Sequence, residues 1–286
     1  MSKLYDIVVF HYPCQDGLAS AWIVWKYHKM HDTYITLYPI QHGTDLDINK
    51  FKDNKVIFCD YSPSLEILNL IEINAKEICI LDHHISAQRV LENKKYAIFD
   101  MNYSGAGLTW KYFFPNIIIP LSIQYIQDRD LWTWKLEGSK EFTAGFSTIC
   151  ETYNMTDFDS LFILFENVES KMDYYKEIGM VMNKMILSKA RAIANSHITT
   201  LTKYKDYKVC IINCIEYVSE VGSIITSNPL IDFAVLWKYN NVTQEYIVSL
   251  RANNKVDCSV IAKQYGGGGH KNAAGFTIKG CLPFNL

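Results

Sequence analysis

Acids and histidines follow several apolar, strand-like runs in the first half of this 286-residue chain. They stand after three such runs and within one helical segment farther along: His11, Cys14, Asp16, Asp60, Asp82, His83, His84, Asp128 and Asp130. Any one of them alone is more often a turn residue, a helix N-cap or a surface histidine. Their recurrence at successive strand ends instead indicates a shared site, because ligands of open α/β sheets bind beyond the carboxyl ends of the strands.

These residue types suit divalent cations that prefer oxygen and nitrogen ligands. Carboxylates and neutral imidazoles bind Mn²⁺ or Mg²⁺, and the sequence has no dominant thiolate cluster. Two such ions about 3.5–4 Å apart can clamp the attacking and leaving oxygens of an in-line displacement at phosphorus. Asp60, which stands alone in its segment, is our candidate for a carboxylate that bridges both ions. The pattern therefore fits a dinuclear metal centre, at which a metal-bound water can attack and no protein nucleophile is required.

The elements that would position these residues alternate in type over roughly the first 135 residues. Segments with helical periodicity separate short runs that are almost entirely apolar. Such alternation predicts βαβ units and a parallel sheet that is buried on both faces. We expect five strands, within the segments "YDIVVF", "TYITLYPI", "KVIFCD", "EICILD" and "KYAIFD".

The second half of the chain changes character. Residues 142 to 197 read as mostly helical, and three further strands follow in "YKVCIINC", "DFAVLWKYN" and "EYIVSLRAN". We therefore predict an α/β protein with a parallel-sheet domain over residues 1–140, a helical extension and connector over 141–200, and a smaller α/β domain over 201–286. The active site is expected in the cleft between the two α/β domains.

Composition limits the partners that this chain can bind. Its formal net charge is −2, which argues against a broad electrostatic footprint for long duplex DNA. The first residues lack the pattern of a secretory signal, and no apolar stretch approaches the roughly 18 residues of a membrane span. We expect a cytoplasmic protein without a membrane partner, and we leave homodimer formation open.

Two motifs in fixed order make the chain resemble the DHH phosphoesterase superfamily, whose members include RecJ-like and nanoRNase-like proteins. The first is "DHH" at 82–84, which follows the strand ends with His11, Asp16 and Asp60 and precedes "DRDLW". The second, "GGGGHKNAAGF" at 266–276, resembles the DHH-associated C-terminal domain. "DHH" alone is a weak match, but the two motifs in this order are specific. The resemblance covers both predicted α/β domains, which makes 1–140 the catalytic domain and 201–286 the substrate-binding domain.

The resemblance implies a two-metal site, with Mn²⁺ as the favoured ion and Mg²⁺ or another divalent ion as alternatives. Its first ion would be bound by His11 and Asp60. The second would be bound by Asp16, Asp60, His83 and Asp128, with Asp130 held in reserve for Asp128 because spacing alone does not separate the two. His84 would face the scissile phosphate, and Asp82 would orient a histidine ring, as metal-site imidazoles commonly require.

Cys14 departs from the pattern of the superfamily. Many members carry Asp-x-Asp in the first motif, whereas this chain reads Cys14-Gln15-Asp16. Cys14 either binds metal as a thiolate, leaves the first site one ligand short, or is replaced by water. A weaker first site would make activity depend more strongly on metal concentration.

The C-terminal motif is expected to bind the substrate. Glycines let backbone N–H groups approach a phosphate closely, and arginine can grip one in bidentate fashion. By resemblance, the nucleotide end away from the metals would contact Arg251, Gly267, Gly268, Gly269, His270 and Asn272. In the first domain, Trp132 is either a base-stacking residue or a buried aromatic, and "SGAGLTW" reads as a helix cap or, alternatively, a phosphate contact.

The resemblance implies a hydrolase that releases nucleoside monophosphates from short oligonucleotides or dinucleotides, as an exonuclease or oligoribonuclease does. Alternatives within the class are a cyclic-dinucleotide phosphodiesterase, a phosphatase of bisphosphorylated adenosine and a polyphosphatase. A different class, a non-catalytic nucleotide-binding module with a decayed metal site, is argued against by the retained acids and histidines.

Overall fold

The computed structural model describes residues 3–41, 44–152, 157–197 and 201–284. The chain divides into two units, Met1–Met182 and Asn183–Leu286. The first contains a five-stranded sheet and the second a six-stranded sheet. The predicted α/β class, with a parallel sheet followed by a second, smaller α/β lobe, is confirmed. The predicted boundaries at residues 140 and 200, and the predicted cleft, stay predictions.

The sheet of the first unit is wholly parallel and has the strand order β2-β1-β3-β4-β5. Its strands are β1 (Ile7–His11), β2 (Thr36–Ile40), β3 (Lys55–Cys59), β4 (Glu77–Asp82) and β5 (Ala97–Phe99). Strands β2 to β5 each lie within a segment expected from the sequence, and β1 extends one residue beyond its segment, to His11. Phe10 pairs with Cys59, and Cys59 pairs with Leu81, so three strands end side by side at one edge.

Both faces of this sheet are buried, as its apolar strands predict. Val8 and Phe10 pack into one hydrophobic cluster, whereas Ile7 and Val9 pack into another on the opposite face. This alternation is the two-residue period of a strand, and a strand that is covered on both sides has no position for a polar side chain until it ends. The polar residues that these strands supply to the site are therefore confined to the strand ends.

Helices flank and follow this sheet. They are α1 (Gln15–Lys29), α2 (Leu65–Asn74), α3 (Ile85–Leu91), α4 (Gly105–Phe113), α5 (Leu121–Asp130), α6 (Ser139–Cys150), α7 (Phe158–Glu166) and α8 (Met172–His197). The sequence had not predicted α3, because seven residues are too few to show a helical period. The long helix expected within residues 169–197 is α8.

The second unit has the strand order β10-β11-β9-β8-β7-β6. Its elements are β6 (Leu201–Tyr204), β7 (Tyr207–Asn213), α9 (Val218–Thr226), β8 (Phe233–Asn240), β9 (Glu245–Ala252), α10 (Cys258–Lys263), β10 (Gly268–Gly269) and β11 (Ala273–Lys279). Strands β7 and β8 run parallel, with α9 as the connecting helix, and the other described pairs are antiparallel. Among the described residues, no helix has both the length and the apolar character that crossing a bilayer requires.

One buried histidine lies apart from the strand ends. His28 is almost fully buried in α1. Its Nε2 accepts a hydrogen bond from the Tyr5 backbone N–H at 3.3 Å, and its Nδ1 lies 3.0 Å from Thr33 Oγ1. Because Nε2 accepts, the ring is neutral with its proton on Nδ1. Burial lowers the pKa of His28 below its usual value.

His28 should make the free energy of unfolding depend on pH. The pKa of His28 is lower in the folded than in the unfolded state, so the neutral ring stabilises the fold fully above about pH 6.5. This stability is lost as the pH falls toward the pKa of the folded state, by at most about 1.4 kcal/mol per pH unit. We expect His28→Gln to flatten the change in urea midpoint between about pH 7.5 and 5.5, measured in chelator. His31→Gln, two residues beyond the end of α1 and exposed, is the matched control, because it removes only a smaller contribution to the lowered pKa of His28. An undiminished pH dependence in His28→Gln would contradict this role.

Candidate metal centre

Asp60 occupies the centre of the strand-end cluster. It follows β3 directly, is 2% exposed, and its backbone N–H donates to Leu81 O at 3.0 Å. His83 Nε2 lies 3.1 Å from Asp60 Oδ1, and His11 Nδ1 lies 3.6 Å from Asp60 Oδ2. Each carboxylate oxygen thus faces a different histidine, which is the arrangement that a bridging ligand requires.

The backbone of Asp60 is held in a costly conformation. Its φ of +55° lies in the left-handed region, which non-glycine residues seldom adopt. Burial alone would favour the neutral acid, but contacts with His11 and His83 hold the pKa of Asp60 below its usual range. Asp60 is therefore a buried carboxylate that remains charged.

The beginning of α4 fixes Asp16 beside Asp60. Asp16 Oδ2 accepts a hydrogen bond from Gly105 N at 2.6 Å, and Oδ1 accepts one from Ala106 N at 3.0 Å. A Cβ at Gly105 would lie 2.5 Å from the Cβ of Asp60 and 2.9 Å from Asp16 Oδ2, so only glycine fits there. The segment "SGAGLTW" was expected to cap a helix or touch phosphate. Ser104 does cap α4, and the support that Gly105 gives to Asp16 was missed.

His83 lies among three carboxylates. Its Nε2 is 3.1 Å from Asp60 Oδ1, 3.4 Å from Asp130 Oδ2 and 3.7 Å from Asp16 Oδ2. Burial disfavours a charged imidazole, but these carboxylates outweigh burial and raise the pKa of His83 to about 10. In the metal-free protein, a proton on His83 thus supplies positive charge that a bound cation would otherwise provide.

The pKa values of Asp16 and Asp130, the other two acids around His83, are shifted in the opposite direction from that of Asp60. Burial raises the pKa of Asp16, and repulsion from Asp60 and Asp130 raises it further. Burial also raises the pKa of Asp130, although His83 opposes the change. Asp130 Oδ2 is buried and receives no hydrogen bond from any described residue. Such closely spaced acids cannot all ionise unless a cation lies among them.

The geometry favours Asp130 over Asp128 as the candidate metal ligand. Asp130 joins Asp16 and His83, with one potential ligand atom of each within 4.8 Å of the others. Asp128 is occupied elsewhere: its oxygens accept hydrogen bonds from Thr133 Oγ1, Lys135 N, Leu136 N and Ser139 Oγ at 2.5, 2.8, 3.0 and 2.6 Å. We therefore transfer the proposed ligand role to Asp130.

Cys14 lies at the N-cap of α1, two residues before Asp16. Potential ligand atoms of His11, Cys14 and Asp60 lie within 4.8 Å of one another. Burial, followed by repulsion from Asp60, raises the pKa of the Cys14 thiol well above its usual value. The thiol is therefore neutral in the metal-free protein, and its role as a ligand stays a prediction.

His84 has the ring-orienting partner that the sequence suggested. Asp82 Oδ1 accepts hydrogen bonds from His84 Nδ1 at 2.7 Å and from His83 N at 2.7 Å. Asp82 Oδ2 accepts one from Ser62 Oγ at 2.6 Å. Since a carboxylate can only accept, the proton of His84 is on Nδ1. The His84 side chain is 20% exposed, so it can be reached by a substrate.

Within the second unit, Arg251 is held by its surroundings. Its guanidinium donates to Leu250 O and to Ser219 Oγ, both at 3.0 Å. Its side chain packs over α9, where a Cβ at Gly222 would lie 2.5 Å from Arg251 Cγ. The guanidinium is therefore oriented by β9 and α9 before any ligand binds.

The glycine run is more ordered than its composition suggested. Gly268 and Gly269 form β10, which pairs with β11. Gly267 N donates to Ala262 O at 3.0 Å and His270 N donates to Ala273 O at 2.7 Å, so these two N–H groups are not open phosphate donors. A Cβ at Gly267 would lie 2.0 Å from Gly275 O. Close packing against β11 is thus one reason for glycine here.

Asn272 is also engaged within its own unit. Its amide oxygen accepts from Asn254 N at 2.8 Å, and its amide nitrogen donates to Asn254 Oδ1 at 2.9 Å. The structure thus gives Asn272 a loop-bracing contact. The substrate-binding roles of Arg251, the glycines, His270 and Asn272 stay predictions.

The residues at the strand ends fit divalent metal ions. They form two groups of oxygen, nitrogen and sulfur donors that share one carboxylate: His11, Cys14 and Asp60 in the first, and Asp16, Asp60, His83 and Asp130 in the second. The mixture of carboxylate and imidazole suits Mn²⁺ or Mg²⁺. The crowding of buried acids around one imidazole provides the electrostatic reason for a cation to bind.

Comparison with known proteins adds a family and a fold. A model described as the DHHA1 domain matches residues 217–283. Uncharacterized protein R106 of Acanthamoeba polyphaga mimivirus is 34% identical over 298 residues, which cover 98% of this chain and 69% of that protein. A 3',5'-cyclic-nucleotide phosphodiesterase of Helicobacter pylori is 23% identical over 71% of this chain and 68% of its own length.

A solved structure extends the likeness over both units. RecJ from Thermus thermophilus, crystallised in complex with Mn²⁺, superposes with a TM-score of 0.54 at 13% identity. The superposition covers 96% of this chain and 50% of RecJ. It confirms the fold predicted from the two sequence motifs.

Asp130 and Asp128 should differ in their effect on metal binding. We expect Asp130→Asn to weaken Mn²⁺ binding at least about tenfold, because it removes a carboxylate from the cluster. Asp128→Asn should keep the bound Mn²⁺ but lower the free energy of unfolding by about 1–3 kcal/mol, because it disturbs buried hydrogen bonds. Calorimetric Mn²⁺ titration and urea unfolding separate the two effects. Loss of Mn²⁺ from Asp128→Asn alone would reverse the assignment.

Cys14 can be tested in the same titration. Cys14→Asp should tighten the weaker Mn²⁺ site, because it adds a carboxylate beside His11 and Asp60, whereas Cys14→Ser should not. If Cys14 is itself a ligand, Cys14→Ser will instead bind more weakly than the parent protein. Equal affinities in all three proteins would mean that Cys14 serves only to pack against its neighbours.

Proposed function

The chain belongs to the DHH phosphoesterase superfamily, and from that premise we propose that it is a divalent-metal-dependent phosphodiesterase of short oligonucleotides. It releases nucleoside monophosphates from substrates a few nucleotides long. The observation that carries the proposal is the placement of Asp60, whose two oxygens face His83 and His11 from the end of a central strand. A non-catalytic binding module would have no need for this buried, mutually repelling set of acids.

Asp60 is proposed to be shared by two metal ions. His11 completes the first site, with Cys14 as a candidate ligand, and Asp16, His83 and Asp130 complete the second. Ions held there supply Lewis acidity to a phosphoryl oxygen and lower the pKa of water. Gly105 and Ala106 hold Asp16 in place through their backbone N–H groups, so the second site is assembled by the beginning of a helix.

His84 is proposed to contact the scissile phosphate. Asp82 fixes its ring through Nδ1, which directs Nε2 away from Asp82. Burial disfavours the imidazolium, yet Asp82 raises the pKa of His84 above its usual value. A charged His84 carries a second proton on Nε2. This N–H group can donate a hydrogen bond to a phosphoryl oxygen as negative charge develops on that oxygen.

The choice of substrate rests on the charge of the chain and on its relatives. A net charge of −2 suits a short anion gripped by local groups better than a long polyanion. The Helicobacter pylori relative is named as a phosphodiesterase of cyclic nucleotides. That name favours a phosphodiester of a nucleotide, and it makes a 3',5'-cyclic nucleotide the second candidate substrate.

The proposed metal is Mn²⁺. Imidazole and carboxylate ligands suit it, and RecJ of Thermus thermophilus, which shares the fold, was crystallised with Mn²⁺. Mg²⁺ is the alternative.

Hydrolysis of a two-nucleotide RNA with Mn²⁺ tests the function. We expect turnover that chelator abolishes, a loss of at least about 1000-fold in kcat for Asp60→Asn, and a loss of about 100- to 1000-fold for His84→Gln. Asp53→Asn is the matched control, because Asp53 is an exposed aspartate with a similar φ of +61°.

Parallel assays should contain a 3',5'-cyclic nucleotide, a cyclic dinucleotide, bisphosphorylated adenosine and polyphosphate. Preferred turnover of one of these would replace the proposed substrate. Absence of metal-dependent turnover on all of them would overturn the enzymatic function itself.

A further inference from the structure

The turn that follows α5 places two tryptophans in an unusual backbone conformation. Trp132 has a φ of +54° and Trp134 a φ of +51°. Bulky residues are genuine outliers in this left-handed region. Such conformations persist only where the surrounding structure enforces them, and they concentrate at active sites and ligand clamps.

Asp128 enforces this turn. Its buried carboxylate accepts hydrogen bonds from two backbone N–H groups and two hydroxyls, which belong to Thr133, Lys135, Leu136 and Ser139. Its own backbone oxygen accepts the N–H of Thr133 at 3.0 Å. The chain is thus fastened on both sides of Trp134. The strained backbone conformation of Trp132 does not bury its side chain, which remains exposed.

The two indole rings are packed so that one remains accessible. Their centroids lie 5.0 Å apart, with the ring planes at 69°. Lys140 Nζ lies 5.1 Å from the centroid of Trp134, so Trp134 is packed between Trp132 and a lysine. Trp132 remains 38% exposed. Trp132 is therefore the more exposed of the two rings, because Trp134 is half-buried.

The backbone of Trp132 lies close to a residue of the proposed metal centre. Trp132 follows Asp130 by two residues, and consecutive Cα atoms are about 3.8 Å apart, so the two Cα atoms are within about 8 Å. An exposed aromatic side chain whose backbone lies that close to a ligand of the proposed metal centre suits a nucleobase, because every base has a π-face to stack.

We propose that Trp132 is a nucleobase-stacking residue, supported by Trp134, and that Asp128 is the positioning residue that holds both tryptophans. The inference rests on the proposed function and narrows it, because a stacking platform selects nucleobase-bearing phosphoesters over inorganic polyphosphate. Asp128, which the sequence suggested as a metal ligand, thus serves the substrate through the turn.

The test compares a two-nucleotide RNA with analogues in which one base or the other is absent. The parent protein should discriminate against one abasic analogue by about 5- to 150-fold in KM, the range that alanine substitution of a stacking aromatic side chain gives. Trp132→Leu should raise KM for the intact dinucleotide by a similar factor and lose the discrimination. Trp132→Phe should retain most of it. Tyr34→Leu is the control, because Tyr34 is 98% exposed. It precedes β2 and so lies at the amino ends of the strands, whereas the metal centre lies at their carboxyl ends.

A binding measurement separates this inference from the proposed activity. A phosphorothioate dinucleotide should quench tryptophan fluorescence in the parent protein and in Tyr34→Leu, but far less in Trp132→Leu. Asp128→Asn should weaken the quenching while it still binds Mn²⁺. If the parent hydrolyses no phosphodiester yet shows this quenching, the proposed function is wrong and the platform stands. Unchanged KM and quenching in Trp132→Leu would overturn the platform and leave the proposed function intact.

Discussion

The repulsion among three closely spaced carboxylates around the Nε2 atom of His83 is the constraint on which the first unit depends. Asp16, Asp60 and Asp130 each have an oxygen within 4 Å of that nitrogen. Carboxylates so placed raise one another's pKa unless positive charge lies among them. The fold has to supply enough apolar burial and backbone hydrogen bonding to keep them together. It does so from four separate segments, so the cluster exists only in the folded chain.

The parallel sheet solves the problem of convergence. Because β1, β3 and β4 end in register, the residues that follow them meet at one edge. Asp60 and His83 come directly from strands, which fixes their Cα positions. Asp16 lies in the first turn of α1, and the beginning of α4 donates to its carboxylate. The electropositive end of a helix favours such a negative charge, so the helices that cover the sheet also stabilise its acids.

The sequence predicted the fold and the strand ends at which these residues meet, and what it could not predict has physical causes. The five strands of the first sheet were recognisable because burial on both faces makes them apolar throughout. The sequence did not decide between Asp128 and Asp130. Residues two apart on a helix point about 200° away from each other, so only one of them can face the cluster. Spacing shows that one acid is excluded, but tertiary packing decides which. The short hairpin that pairs Gly268 and Gly269 with β11 was not recognisable either, because glycine is depleted in strands and its composition indicates a loop.

Gly105 has a consequence that reaches beyond this chain. The backbone of α4 touches Asp60 and Asp16 so closely that even a methyl group at position 105 would displace one of them. In any related protein that keeps this geometry, a larger residue at the equivalent of 105 would therefore be incompatible with the paired carboxylates, even if every acid and histidine were present. The residue at this position supplies no metal-ligand atom. It can still help to distinguish a relative that retains the paired carboxylates in this geometry from one that retains only the acids and histidines in its sequence.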